Sequence, residues 1–155
     1  MASRMTALLC TTFAALACSG PAGAADEPAA VGMVKVSQGT VTIERAGQQL
    51  PAPAGTAVYA GDRVRTGILG SVGITLDDDT RLSAGPNSTL LITEFRFNST
   101  THDGSLIASL LKGTFSVVTG LIGKHSPNSV TFKTPTMTLG IRGTEFVVDV
   151  EGTWY

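Results

Sequence analysis

Cysteine is almost missing from this chain. Its 155 residues hold two, Cys10 and Cys18, and both lie near the amino terminus, in a segment that reads as a leader. Once that leader is removed no thiol remains, which excludes a disulfide framework and thiolate chemistry. Roughly 130 residues are then left to build one packed core, and they are not obviously enough for two. A surplus of one charge is missing as well. Eleven basic residues stand against 12 acidic ones, and losing Arg4 with the leader leaves 11 − 1 = 10 against 12. A balance of that kind gives no electrostatic footprint for nucleic acid or an anionic lipid surface, both of which want clustered Lys and Arg. Beyond the leader, no apolar run is long enough to span a bilayer.

The leader itself has three parts: Arg4 near the start, an apolar run from Met5 to Ala17, and small residues before Asp26. The run is short for a permanent span and suits a secretory signal peptide over residues 1–25, with the folded domain over 26–155. Two processing sites compete. Ala22-Gly23-Ala24 carries the small-x-small pattern of general signal peptidase. "AALAC", Ala14 to Cys18, is similar to a bacterial lipobox that would lipidate Cys18, but it has Ala15 where Leu is preferred. Soluble export into the periplasm or the medium is therefore favoured over a lipid anchor in the outer membrane.

From Val31 onward the chain alternates with period two. In "SVGITLDDDTRLSAG", Val72, Ile74 and Leu76 point one way and Gly73 and Thr75 the other. Asp77 to Asp79 make a turn before the strand resumes at Thr80, which reads as a hairpin with one buried face. Further strands are expected over 90–97, 115–119, 130–133, 137–141 and 145–150. Breaks rich in Gly, Pro, Asn and Ser fall at "PAPAG", "AGP", "NSTTHDG" and "GKHSPNS". "GSLIASLLKG" is ambiguous, since Leu106, Ile107, Leu110 and Leu111 also fall at helical spacing; its neighbours favour a strand. The fold class is all-β: a single domain of short antiparallel strands, arranged as a sandwich, a roll or a solenoid-like stack. Gly-Thr pairs at Gly39-Thr40, Gly113-Thr114 and Gly143-Thr144 each precede a segment rich in β-branched and aromatic residues. Gly permits the turn there and Thr begins the pleat.

Reactive constellations do not assemble. The Asp77–Asp79 run lacks the ligand spacing of a calcium loop and reads as a solvated turn. His102 and His125 sit in polar loops with no patterned partners for a metal. There is no G-x-S-x-G elbow, no catalytic triad and no phosphate-cradling loop. No catalytic residue, cofactor site or metal site is therefore assigned, and the chain is not expected to be an enzyme. Phe95 and Phe97 share one strand face and read as core, or alternatively as a strip for a sugar or peptide. Trp154 and Tyr155 either pack against an edge strand or meet a partner.

The order of segments resembles the FecR-like domain of bacterial envelope proteins. The matching stretches are "GMVKVSQGTVTIERAGQQ", "LPAPAGTAVYAGDRVRTG", "SVGITLDDDTRLSAGPNSTLLI", "LLKGTFSVV" and "VTFKTPTMTLGIRGTEFVV", covering 31–150. "GDRVRTG" and "TPTMTLGIRGTEF" are the most specific, so the resemblance marks Gly61, Asp62, Thr66, Gly67, Thr134, Pro135, Arg142, Gly143 and Thr144 as motif positions. Arg142, standing beside Gly143, reads as a structural clamp on Asp62 or the Asp77–Asp79 turn, or else as a contact to a partner. Well-known members couple a cytoplasmic sigma-factor regulator through one membrane span to a periplasmic part. The regulator and the span are not seen here, so the sigma-factor step is not expected of this chain. The resemblance implies an exported, non-enzymatic binding or sensing module of the periplasm or envelope, acting through a protein partner in signalling or assembly. The alternative is a binder of small ligands or polysaccharide.

Overall fold

A computed structural model describes residues 28–151 of the protein. The first half of this region forms β1 (Gly32–Gln38), β2 (Val41–Arg45), β3 (Gln48–Pro51), β4 (Ala57–Val58), β5 (Arg63–Thr66), β6 (Ser71–Leu76) and β7 (Arg81–Ala84). The second half forms β8 (Thr89–Phe97), β9 (Gly104–Val118), a short helix α1 (Leu121–His125), β10 (Val130–Lys133), β11 (Thr138–Gly140) and β12 (Glu145–Val150). The period-two reading holds residue by residue in the β6–β7 hairpin. Val72, Ile74, Leu76, Leu82 and Ala84 are buried, whereas Gly73, Thr75, Arg81 and Ser83, the residues between them on the two strands, are not.

The longest strand, β9, is the spine of the fold. Its first half pairs with β8 on one side and, in parallel, with β10 on the other. Its second half pairs antiparallel with β7 and with β12. One wing of the sheet thus runs β3-β2-β5-β8-β9-β10-β11, and the other runs β4-β1-β6-β7-β9-β12. The parallel β9–β10 pair departs from the all-antiparallel expectation. The connection that permits it carries α1 and a single 3-10 turn at Pro127–Ser129, which returns the chain to the start of β9.

The register shows that β9 is not straight. Gly140 lies opposite Thr131, which is level with Ile107, whereas Glu145 lies opposite Val118. Five residues reach about 17 Å, but a straight strand would hold Ile107 and Val118 about 36 Å apart. The spine must fold back on itself, bringing the two wings face to face. The bend lies at Leu111–Gly113. The register with β8 slips between Thr89 and Leu90, which makes Leu111 the extra residue of a bulge. Gly113 has φ +101°, and a Cβ there would lie 2.6 Å from the Ser88 Cα. Burial changes parity across this point, from Leu106, Ala108 and Leu110 before it to Phe115 and Val117 after it.

The product is a rolled sheet around one core, which decides among the three architectures left open by the pattern. Ile43, Ile74, Leu90, Ile92, Leu106 and Phe115 belong to a single buried cluster. Phe132 from one wing meets Phe146 from the other edge-to-face, with centroids 5.3 Å apart. "GSLIASLLKG" is a strand, and it is partly buried on both faces, since Ile107 and Leu111 are half-buried.

Candidate functional site

Asp62 opens β5 on a turn that needs Gly61, whose φ is +92° and whose N–H donates to the Ile92 carbonyl at 2.6 Å. The Asp62 side chain is 1 % exposed. A buried carboxylate must be paired and hydrogen-bonded, and the cation is Arg45, at the end of β2. Arg45 donates from Nε to Oδ1 at 2.8 Å and from Nη2 to Oδ2 at 2.5 Å, while the Tyr59 N–H donates to Oδ2 at 2.9 Å. The guanidinium also donates to the Ala57 carbonyl and lies 4.2 Å from the centroid of the Tyr59 ring. The hydrogen bonds to Asp62 hold the Arg45 pKa above its ordinary value, against the opposing effect of burial. This bidentate clamp joins the β2–β3 hairpin to the loop that enters β5, which is a structural task.

At the other end of β5, Thr66 and Gly67 tie three loops together. The buried Thr66 hydroxyl donates to the Gly85 carbonyl at 2.6 Å and accepts from the Ser88 N–H at 2.9 Å. Gly67 donates its N–H to the Thr40 carbonyl and accepts from the Asn87 N–H through its own carbonyl. The first Gly-Thr pair is thus answered by the Thr-Gly of "GDRVRTG".

The Asp77–Asp79 turn corrects the expectation of a solvated loop. Asp77 and Asp79 are exposed, but Asp78 is fully buried. Its carboxylate accepts from the Thr80 N–H at 3.1 Å, the Thr80 hydroxyl at 2.7 Å and the Ile122 N–H at 3.4 Å. The Thr80 hydroxyl in turn accepts from the Gly120 N–H at 2.9 Å, and the Asp78 carbonyl accepts from the Leu121 N–H at 2.7 Å. The turn therefore caps α1, a helix that lies partly within the "GKHSPNS" break and was not expected there. Gly120 is required for this approach, because a Cβ would lie 1.9 Å from the Asp78 carbonyl oxygen.

The last motif spans Thr134 to Thr144. Thr134 and Pro135 form the β10–β11 turn, in which the Thr134 hydroxyl accepts from the Met137 N–H at 3.1 Å. That turn and the end of β12 line an open cleft of about 490 Å³. Gly143 and Thr144 dock through their carbonyls: Gly143 accepts from the Thr119 hydroxyl at 2.9 Å and Thr144 from the Thr119 N–H at 2.8 Å. Arg142 is exposed. The clamp expected of it on Asp62 is overturned, because Arg45 holds that carboxylate.

The motif residues thus lie at four places: the two ends of β5, the β10–β11 turn and the crossing into β12. No hydrogen bond links these places among the described residues. Arg45, which completes the Asp62 clamp, was missed in the sequence. A buried Asp demands a cation, but only strand register says which arginine answers. Phe95 and Phe97 are half-buried against the core. The His102 ring stacks on Phe97 with centroids 6.4 Å apart, and His125 lies 3.4 Å from Asp103 in an exposed pair. Among the described residues no group of three or more His, Cys, Asp or Glu is placed to hold a metal, and no helix is long and apolar enough to cross a membrane. Cys18, Trp154 and Tyr155, with the leader, lie outside the described residues.

β12 pairs only with β9, so its outer edge is open among the described residues. No curated protein and no solved structure matches the chain. A family-wide sequence profile described as FecR protein matches residues 62–153, from the Asp62 clamp through the rolled spine to the end of β12. The chain belongs to the FecR family.

Proposed function

We propose that the protein is an exported, non-enzymatic binding or sensing module of the bacterial periplasm or cell envelope, which engages a protein partner in envelope signalling or assembly. Membership of the FecR family, one associated with envelope signalling, is the observation that carries this reading. The geometry agrees with it. The buried carboxylates Asp62 and Asp78 are occupied in structural hydrogen bonds, while a sheet edge is left open among the described residues. Strand addition to such an edge is a common mode of protein recognition. The leader-like segment 1–25 supports export, by signal peptidase cleavage that leaves a mature start near Ala25 or Asp26, in preference to lipidation of Cys18.

Crosslinking in living cells followed by purification tests the reading. One envelope protein recovered in near-stoichiometric yield is expected. A monomer that crosslinks to nothing would contradict it. The ligand-binding alternative loses support from Phe95 and Phe97, which are packed against the core rather than presented as a flat platform.

A further inference from the structure

The open edge of β12 carries a pattern that specifies what can be added to it. In an antiparallel ladder, alternate residues turn their N–H and C=O groups toward one neighbour and then the other. The Thr119 N–H donates to the Thr144 carbonyl, so odd-numbered residues of β9 serve β12; the Gly85 N–H donates to the Thr114 carbonyl, so even-numbered ones serve β7. With Phe146 opposite Val117 and Val148 opposite Phe115, the groups of Phe146, Val148 and Val150 are used internally. Those of Glu145, Val147 and Asp149 point outward along the free edge.

The edge strands of the roll are not equivalent. β4 has two residues, β11 has three, and β3 ends in Pro51. β12 has six residues, without Pro or Lys to discourage pairing. Its outward side chains are Glu145, Val147 and Asp149, and Val147 is 66 % exposed. Neither carboxylate forms an ion pair with another described residue; Asp149 receives only a hydrogen bond from the Thr114 hydroxyl at 3.4 Å. On the inner face, Phe146 and Val148 remain half-buried, as do Leu139 and Ile141 around the mouth between the wings. The strand reads acid–apolar–apolar–apolar–acid over 145–149.

We propose that the outer edge of β12 takes up a strand of a protein partner whose central residues read basic–apolar–apolar–apolar–basic. This rests on the binding-module reading above and names the partner chemistry. The two basic side chains would lie across from Glu145 and Asp149, and the central apolar one across from Val147. The two between them would turn inward and cover the half-buried mouth. The pattern is the same read in either direction, so it suits parallel or antiparallel addition. A second copy of this chain is disfavoured, because antiparallel β12–β12 pairing centred on Val147 sets Glu145 against Asp149 twice, and like charges directly opposite are destabilising.

The test uses the purified protein and two capped, fluorescein-labelled peptides, Ser-Lys-Val-Val-Val-Lys-Ser and Ser-Glu-Val-Val-Val-Glu-Ser, read by anisotropy. The basic peptide is expected to bind saturably and at least tenfold tighter than the acidic one. In the double variant Glu145→Lys/Asp149→Lys this preference should invert. Val147→Pro, which removes an outward donor without touching the β9 ladder, should abolish binding of both. Equal affinity for the two peptides, no saturable binding, or binding that survives Val147→Pro in a folded variant would overturn the proposal. If Val147→Pro does not fold, the inversion of preference decides alone. A partner that still crosslinks in cells to the charge-reversed variant as it does to the wild type would remove β12 as the contact and leave the binding-module reading standing. No crosslinked partner at all would remove that reading instead.

Discussion

Replacing Gly113 with Ala strikes the bend on which the roll depends. Two costs add. The first is backbone strain, because φ is +101°, a region that side chains other than Gly rarely occupy; such strain costs about 1–3 kcal/mol. The second is steric. The new Cβ would lie 2.6 Å from both Cα and Cβ of Ser88, and 2.1 Å from its Oγ. Backbone must then move, and overpacking of this kind costs about 1–3 kcal/mol. Together they remove about 4 kcal/mol from a domain whose total is on the order of 5–15 kcal/mol. Urea denaturation followed by far-UV circular dichroism should show the midpoint falling by about 2 M at a slope of about 2 kcal/mol/M. Gly140→Ala is the matched control, since a Cβ there meets nothing within 4 Å; its effect should stay within about 0.5 kcal/mol. Adding Ser88→Gly to Gly113→Ala should return only part of the steric cost, because the contact with the Cα of residue 88 at 2.6 Å remains, and should leave the strain. A loss below 1 kcal/mol in Gly113→Ala would refute the bend as the keystone of the roll.

Arg45→Met should cost about 3–5 kcal/mol, because it leaves the Asp62 carboxylate buried with only the Tyr59 N–H. Asp62→Asn should cost less, since Arg45 can turn to water; the same urea titration ranks the two, and the reverse order would count against the clamp. Thr66→Val should lose about 1–3 kcal/mol by stranding the Gly85 carbonyl and the Ser88 N–H. Gly120→Ala should unfold the α1 docking, seen as rapid amide exchange at Leu121 and Ile122, because its Cβ would overlap the Asp78 carbonyl. Phe132→Ala should cost about 3–5 kcal/mol, from the loss of a fully buried ring at the junction of the wings.

The features legible in the sequence are those that alternation alone controls. Val72, Ile74 and Leu76 declared their face without any knowledge of neighbours, and the Asp77–Asp79 turn was evident between two such runs. The role of Asp78 was hidden, because its burial is produced by α1, some 40 residues later in the chain. The same holds for Asp62, whose partner Arg45 is chosen by the β2–β5 register. The bend of β9 left only a faint trace. Leu106, Ile107, Leu110 and Leu111 fitted a helix or a strand, because Ile107 and Leu111 are half-buried on the second face and a bulge at Leu111 shifts the parity of burial. Arg142 stood out by composition, yet its neighbour Gly143 serves backbone docking and the guanidinium is left exposed. The family motif thus marks positions that hold loops together, and the open edge of β12 follows from topology that no single segment encodes.

Residue-resolved amide exchange along β12 tests most directly whether the rolled sheet ends in an accessible edge. The account predicts an alternating profile: slow exchange at Phe146, Val148 and Val150, whose N–H groups bond to β9, and fast exchange at Glu145, Val147 and Asp149. Uniform protection of all six amides in the protein alone would contradict it, since the edge would then already be covered.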